Sequence, residues 1–337
     1  AEPYQYGVNI EFAGPMDIDT YEDRIQIEPE PTRLNYNINN NGQFVFLDFS
    51  LEPNTDYTVT VPGDAADPYG NTLGEDYVFS FSTPGNVPLV TLNLPERLAQ
   101  LTTSYPSDVT VAYRNVSRIE AELFDVGLPA GLLGEPWRVQ EYSPAGSPLR
   151  TWNQEVNPEE NTVDTLTLSL NDGAPLPPGV YYLRISAPEI NRDDSWWQNQ
   201  RVILLVADTN LVVKEMPDEV HVWATDLETG IPVSDLEVTL YRSNGAQLDT
   251  AITDGDGLAN FPYEPLEFYL SGVTVVGGAP GEARFGAANS NWNQGVSPWQ
   301  FQINSTSGRE LPEFTYIYTD RPIYRPGDTV HFKGILR

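Results

Sequence analysis

The stretch "YIYTDRPIYRPGDTVHFKGILR", residues 316–337, indicates the fold class of the chain. Pro322 lacks a backbone N–H, so it is expected at the end or on the edge of a β-ladder. Pro326 and Gly327 fit the central positions of a type II turn, where glycine accepts a positive φ. Residues 330–337 then alternate, with Val, Phe, Gly and Leu on one face of an extended chain. This stretch therefore predicts a strand, a turn and a second strand.

The composition of the whole chain agrees with β-structure. A length of 337 residues corresponds to about two or three domains. The 26 glycines and 29 prolines are spread along the sequence, as expected for many short strands joined by turns. The best helical candidate, residues 94–101, covers only about two helical turns. We therefore predict an all-β protein.

The charge balance excludes several classes of partner. The chain has 18 Lys and Arg against 48 Asp and Glu, a formal net charge of −30. Such a surface repels phosphate backbones and anionic lipid head groups, so we expect no nucleic acid partner. No apolar run reaches the about 18 residues needed to cross a bilayer, so we expect no membrane insertion within this chain. The simplest interpretation of the acidic composition is that it keeps the protein soluble. A surface that binds Ca²⁺ is the more specific alternative.

The sequence contains no cysteine, which excludes disulfides, thiolate metal sites and a cysteine nucleophile within this span. Residue 1 is alanine, and no apolar core of a signal peptide opens the chain. We therefore expect a mature or excised segment of a longer protein.

The first predicted domain covers residues 1–85. Its strand patterns are found at 43–51, 55–61 and 77–83. Gly70-Asn71 is a strong turn signal before the last of these strands. In the first strand, the expected buried face carries Val45, Leu47, Phe49 and Leu51.

The second predicted domain covers residues 86–208. Its strands are predicted at 108–116, 118–126, 164–170, 179–187 and 200–208. In the fourth of these strands, one face carries Tyr181, Leu183, Ile185 and Ala187. The run "VILLV" at 202–206 is apolar at every position. That suits a central strand that is covered on both sides or packed against a neighbouring domain.

The third predicted domain covers residues 209–313, and residues 314–337 form the truncated start of a further domain. In the third domain, one buried face is expected to carry Leu236, Val238 and Leu240. The pattern weakens after residue 261. Residues 277–301 are rich in Gly, Asn and Pro, so we expect irregular backbone or an interrupted strand pair there.

Three sequence patterns resemble known domains. "FAGPMD" at 12–17, followed by "LEPNTDYTVTV" and "FSFST", resembles the bacterial Ig-like domain of many surface proteins. "YTDRPIYRPGDTVHFKGILR" at 318–337 closely resembles the start of a macroglobulin domain of the alpha-2-macroglobulin family. "VWATDLETGIPVSDLEVTLY" at 222–241 resembles the domain that precedes it in bacterial members. The resemblance implies tandem Ig-like and macroglobulin-type β-sandwich domains in a row.

The resemblance also implies a function. Proteins of this family are very large, exported protease traps that present a bait segment, are cleaved in it, change shape and enclose the protease. Many carry a Cys–Gln thioester, which the absence of cysteine excludes from this span. This chain is then expected to be the non-catalytic N-terminal scaffold of an extracytoplasmic, broad-spectrum endopeptidase inhibitor. Its partners would be proteases, through regions outside this segment, and the remaining macroglobulin domains of the parent chain.

No residue pattern specifies a catalytic, cofactor-binding or metal-binding site. Asp249, Asp254 and Asp256 are close in sequence, but a Ca²⁺ site needs about six to eight oxygen ligands. We expect them to be solvated turn carboxylates. The histidines, His221 and His331, lie in different predicted domains, so a Ser–His–Asp device is not expected.

The tryptophans support the alternative function, a cell-surface adhesin or spacer of Ig-like modules. Trp196 and Trp197 are adjacent and could stack on sugar rings, but such pairs more often cap a sandwich or form a domain interface. The same two interpretations apply to Trp292 and Trp299.

Two arginines flank the predicted closing turn. Arg321 and Arg325 lie near Asp320 and Asp328 in the sequence. We expect arginine–carboxylate pairs that hold the ends of the hairpin, and anion recognition is the alternative.

Overall fold

In a computed structural model, the chain folds mainly into β-strands. The structure describes residues 3–4, 7–39, 41–95, 97–190, 200–216, 218–263, 272–292, 315–319, 327 and 329–336. Two compact units form, one from residues 1–89 with 158–164 and the other from residues 90–157 with 165–337. Within the described ranges, every helix is too short or too polar to span a bilayer.

The first module is a sandwich of two antiparallel sheets. Its strands are β1 Pro3–Tyr4, β2 Gly7–Glu11, β3 Gln26–Glu28, β4 Asn35–Ile38, β5 Phe44–Asp48, β6 Asp56–Val61 and β7 Tyr77–Ser82, with a short 3-10 helix at Ile18–Thr20. One sheet has the order β1-β2-β5-β4 and the other the order β3-β6-β7. Val45, Leu47 and Phe49 are buried between the sheets, which confirms the predicted face of β5, and Leu51 packs against the same core.

The second module contains a three-stranded and a five-stranded sheet. Its elements are β8 Leu89–Leu92, β9 Arg97–Leu101, β10 Asp108–Arg114, β11 Arg118–Asp125, α1 Ala130–Gly134, a 3-10 helix Pro136–Gln140, β12 Arg150–Glu155, β13 Asp164–Ser169, β14 Gly179–Ser186 and β15 Arg201–Val206. The sheet orders are β13-β10-β8 and β12-β11-β14-β15-β9. Tyr181, Leu183, Ile185 and Ala187 all enter the core between the sheets, as predicted.

The third module is again a two-sheet sandwich. Its strands are β16 Thr209–Glu215, β17 Glu219–Asp226, β18 Glu237–Arg242, β19 Gln247–Ile252, β20 Leu258–Pro262, β21 Val273–Gly277 and β22 Gly286–Asn289. The sheets have the orders β16-β17-β20 and β19-β18-β21-β22. Leu236, Val238 and Leu240 are buried in its core, which confirms the predicted face. The fold class predicted from the sequence, tandem β-sandwiches, is therefore confirmed.

The structure differs from the sequence analysis in two segments. Residues 94–101, the best helical candidate, contain β9, which pairs in parallel with β15. Sheet hydrogen bonds and burial outweigh a helical pattern of only about two turns. The sequence also did not predict β21, although all of its residues are buried. It pairs with β22 in continuous register, so the interruption expected in this region is not seen in that pair. Residues 293–301 lie outside the described residues.

The closing stretch forms an antiparallel pair of β23 Thr315–Thr319 and β24 Phe332–Leu336. Gly327, between them, has a φ of +93°, as expected for glycine in a type II turn. The side chain of Phe332 is 73% exposed and Ile335 is also exposed, although they occupy opposite faces of β24. Neither face of the described part of this strand is therefore covered as a sandwich strand would be.

We expect the amides of β24 to exchange with solvent much faster than those of β15. Strand β15 is buried from Val202 to Val206 and lies between β14 and β9, whereas β24 is exposed on both faces. Hydrogen-exchange mass spectrometry of the intact chain would measure this. Equal protection of both strands in a monomeric sample would contradict the prediction.

Candidate functional site

The second and third modules share a hydrophobic cluster, which we call the module joint. Its buried members are Phe124, Leu132, Leu133, Val139, Val180, Tyr182, Ile203, Leu205 and Ala207 from the second module, with Val276, Phe285 and Ala287 from the third. Tyr182, Ile203 and Phe285 are fully buried. Burial of apolar surface stabilises a contact by about 25 cal/mol per Å², so the joint holds the two modules together.

Strands β14 and β15 place residues in this cluster because both of their faces are buried. In β15, Val202 and Leu204 point into the core of the second module, while Ile203 and Leu205 point into the joint. This confirms the expectation from the apolar run at 202–206 and selects packing against a neighbouring module as the reason.

The connection between β11 and β12 covers the joint with α1 and the adjoining 3-10 helix. Here the backbone of α1 lies directly against the turn between β18 and β19. A Cβ atom added to Gly134 would lie 2.5 Å from the carbonyl oxygen of Ser243, and one on Gly131 would lie 2.9 Å from that of Asn244. Only glycine permits so close a backbone approach.

Trp292 closes the joint from the side of the third module. Its ring packs against the core of the third module and against the joint. The indole Nε1 donates a hydrogen bond of 3.2 Å to the backbone oxygen of Leu133, near the end of α1. This bond gives the partly buried indole N–H its partner and also links the two modules.

The covalent connection through the joint is short. Only Ala207 and Asp208 separate the end of β15 from the start of β16. Ala207 donates its N–H to the oxygen of Leu101 at 3.0 Å, and the oxygen of Asp208 accepts from the N–H of Leu227 at 2.7 Å. The connector is therefore bonded to β9 of the second module and to the turn that follows β17 of the third, and it is not a flexible linker.

The carboxylate of Asp208 extends this connection. Its Oδ1 accepts from Thr102 Oγ1 at 2.6 Å and from the N–H of Thr103 at 2.8 Å, and its Oδ2 accepts from Thr103 Oγ1. Partial burial acts to raise the pKa of Asp208, but these hydrogen bonds outweigh it, so the pKa lies below its usual range. The nearby Asp226 carboxylate opposes this lowering.

Of the three candidate aspartates, Asp254 and Asp256 lie in a turn and are exposed, as predicted, whereas Asp249 lies in strand β19. Asp254 Oδ1 accepts from the N–H groups of Asp256 at 3.0 Å and Leu258 at 2.9 Å, which closes a turn. Asp249 instead accepts from the N–H of Thr250. Among the described residues, no group of three or more histidine, aspartate or glutamate side chains could hold a metal ion.

The two histidines lie in different sheets or beside them. His221 Nε2 lies 2.9 Å from Glu219 Oε1 on the solvent face of β17, while Val220 and Val222 are buried on the opposite face. His331 is exposed, beside the start of β24.

Several candidate residues lie outside the described residues: Trp196, Trp197, Trp299, Asp320, Arg321, Pro322, Arg325, Pro326 and Asp328. Of the four candidate tryptophans, the structure describes Trp292. It lies at the module joint, which agrees with the interpretation that it forms a domain interface.

Most parts of the joint were not predicted from the sequence. The apolar run of β15 was predicted, but α1 and the second buried face of β14 were not. A signal was present, since Val180 and Tyr182 make β14 apolar on both faces. The partners Val276 and Phe285 lie in a segment where the strand pattern is weak.

We expect Gly134→Ala to lower the free energy of unfolding of the joined modules by about 1–3 kcal/mol, because the new methyl group meets the Ser243 backbone. Denaturant unfolding of the intact chain measures this. Gly255→Ala is the matched control, since a Cβ there meets no atom within 4 Å. Equal effects of the two substitutions would contradict the close approach at the joint.

We expect Asp208→Asn to destabilise the chain at neutral pH and to have a smaller effect in acid. The folded-state pKa of Asp208 is lowered, so its contribution is present above the unfolded value and is lost as the pH falls through the folded value. Unfolding curves from neutral pH to below the ordinary aspartate pKa of 3.8 test this. Glu237→Gln, on an exposed side chain, is the control. A difference from wild type that does not depend on pH would contradict the assignment.

Comparisons with known proteins agree with this architecture. The sequence profile of the bacterial Ig-like domain matches residues 3–83, and that of the bacterial alpha-2-macroglobulin MG3 domain matches residues 206–308. An alpha-2-macroglobulin homolog of Deinococcus radiodurans is 31% identical over 148 residues, which cover 40% of this chain and 13% of that protein. The alpha-2-macroglobulin of Escherichia coli is 23% identical over 297 residues, covering 85% of this chain and 17% of that protein.

The fold also matches a solved structure. A crystal structure of Salmonella alpha-2-macroglobulin reacted with methylamine aligns with 98% of this chain and 20% of its own, at a TM-score of 0.58 and 21% identity. The chain thus spans less than a fifth of the length of the two curated relatives named above. With both sequence profiles, these relatives and the shared sandwich fold in agreement, the chain belongs to the bacterial alpha-2-macroglobulin family.

Proposed function

We propose that the chain is the non-catalytic N-terminal scaffold of an alpha-2-macroglobulin that traps proteases outside the cytoplasm. The module joint is the observation that carries the proposal. It combines a buried apolar cluster, a two-residue connector and a glycine-mediated backbone approach. Such a joint makes two sandwiches behave as one rigid piece, which suits a support for parts that move.

The proposed organisation follows the sequence boundaries. Residues 1–85 form a bacterial Ig-like domain, residues 86–208 and 209–313 form two macroglobulin-type domains, and residues 314–337 begin another. The exposed faces of β24 support the last assignment, because no second sheet among the described residues covers Phe332 or Ile335.

The proposal assigns the protease contacts to the parent protein outside this segment. The proteases that it captures and the other macroglobulin domains are the proposed partners, and neither nucleic acid nor membrane insertion has a role within this segment. The net charge of −30 supports the exclusion of nucleic acid. The alternative function, a glycan-binding adhesin, has less support, because Trp292 packs in the joint and does not offer its ring for stacking on a sugar.

We expect the full-length parent protein, after incubation with trypsin, to shield the protease from large substrates but not from small ones. An enclosed protease still admits a chromogenic peptide, while casein cannot reach its active site. Rates on both substrates, measured on the same complex, test this. Equal inhibition of both rates, or of neither, would contradict the trap.

The contribution of this segment is tested separately in the parent by Gly134→Ala, with Gly255→Ala as control. A loosened joint should reduce the shielding from casein without changing which parent segment trypsin cleaves first. Unchanged shielding with a measurably weakened joint would contradict the scaffold role while leaving the trap itself intact.

A further inference from the structure

The first module has an open side where β2 of one sheet faces β7 of the other. A cavity of ≈ 370 Å³ lies there. Its floor is apolar and consists of Ile10, Phe12, Val61 and Phe79. Leu73 and Tyr77 at its rim are 40% and 59% exposed, so this apolar surface faces solvent.

Strand β7, which borders the cavity, is an edge strand without the usual protection. Its sequence, "YVFSFS", has no charge and no proline, and its described partner in the sheet is β6 on one side. Val78, in the strand, is 54% exposed. Natural edge strands are normally blunted by lysine, proline or a bulge, because their free backbone groups pair with other chains.

The hydrogen-bond pattern shows which backbone groups of β7 point outward. Thr83 donates its N–H to the oxygen of Thr55, on the β6 side. Because backbone groups alternate along an antiparallel strand, those of Val78, Ser80 and Ser82 point away from β6. The hydroxyl contact of 3.0 Å between Thr58 and Ser80 agrees, since side chains are closest in the pairs that lack backbone hydrogen bonds.

Hydrogen bonds within the chain fix the rim of the cavity in the unbound state. Asp76 Oδ1 accepts from the N–H of Gly63 at 2.7 Å. Gly74 donates to the oxygen of Gly63 at 2.8 Å, and Leu73 donates to that of Ala65 at 3.0 Å. These bonds fix the segment that leads into β7, so docking there costs little ordering entropy.

The charge around the cavity indicates the kind of partner. Its lining includes the carboxylates of Glu11, Glu75 and Asp76 and contains no lysine or arginine. A second copy of this chain would carry the same net charge of −30 and be repelled. A segment with basic side chains is attracted instead.

We propose that β7 is a docking edge for an extended peptide segment of a partner protein. The segment adds to the sheet as a strand, pairs with the outward backbone groups of β7 and places alternate apolar side chains over the cavity. A lysine or arginine at one end lies next to Glu75 and Asp76. This surface is separate from the module joint and from the scaffold function proposed above.

The test uses the 337-residue chain and a fluorescently labelled peptide, KVTVTVK, in anisotropy titrations at low and moderate salt up to about 1 mM protein. We expect binding that weakens with salt. Val78→Pro removes an outward donor and should weaken binding at least about tenfold, whereas the matched Val78→Thr should leave it unchanged. Glu75→Lys should weaken binding and reduce its salt dependence.

Two further peptides separate strand addition from general attraction to an acidic protein. A KVTVTVK peptide that is N-methylated on alternate residues keeps its charge but loses donors along one edge, and EVTVTVE keeps its strand pattern but reverses the charge. Both should bind at least about tenfold more weakly. If Val78→Pro does not fold, as judged by circular dichroism, Val78→Lys replaces it and should weaken binding by repelling the basic peptide.

Each contrary outcome would overturn the proposal. If the N-methylated peptide binds as tightly as KVTVTVK, the binding is only electrostatic adhesion. If EVTVTVE binds as tightly as KVTVTVK, the partner segment need not be basic. No binding of KVTVTVK, or binding that neither Val78→Pro nor its replacement Val78→Lys weakens, would show that β7 is not a docking edge. Self-association of the chain that Val78→Pro abolishes in sedimentation experiments would assign the edge to a second copy.

Discussion

The architecture of the second unit depends on the burial of β14 and β15 on both faces. A strand in a sandwich normally buries one face and exposes the other, so its sequence alternates. Here Val180 and Tyr182 of β14, with Ile203 and Leu205 of β15, are apolar on the second face and require a cover. The helical insertion between β11 and β12 and the third module provide it. The two sandwiches thereby share one buried apolar cluster between their separate cores.

The hydrogen bonds of the connector fix the orientation of the second and third modules at this shared cluster. An apolar cluster alone is non-directional and would tolerate some rotation between the modules. Asp208 removes that freedom, because its carboxylate binds the turn after β9 while its backbone oxygen binds Leu227 of the third module. The close approach of α1 to the Ser243–Asn244 turn acts in the same direction. This fixed geometry supports the scaffold role proposed above for the chain.

The first module solves the same packing problem differently. Its sheets bury a compact core around Tyr21, Val45 and Tyr57, but they stay apart on the side between β2 and β7. The edge strand β7 presents aromatic residues and free backbone groups at an acidic rim. The structure thus combines a closed, rigid joint in one unit with an open strand edge in the other, and these suit different tasks.

The sequence by itself determined the all-β class, most strands and the buried face of β5, because alternation with period two follows directly from strand geometry. The patterns "YTDRPIYRPGDTVHFKGILR" and "VWATDLETGIPVSDLEVTLY" indicated the family to which the chain belongs. Only the tertiary structure decided that residues 97–101 form a strand, since pairing with β15 outweighs a local helical pattern. Likewise, the joint and the open side of the first module depend on which distant residues meet. Local periodicity records that a side chain is apolar but not which surface covers it.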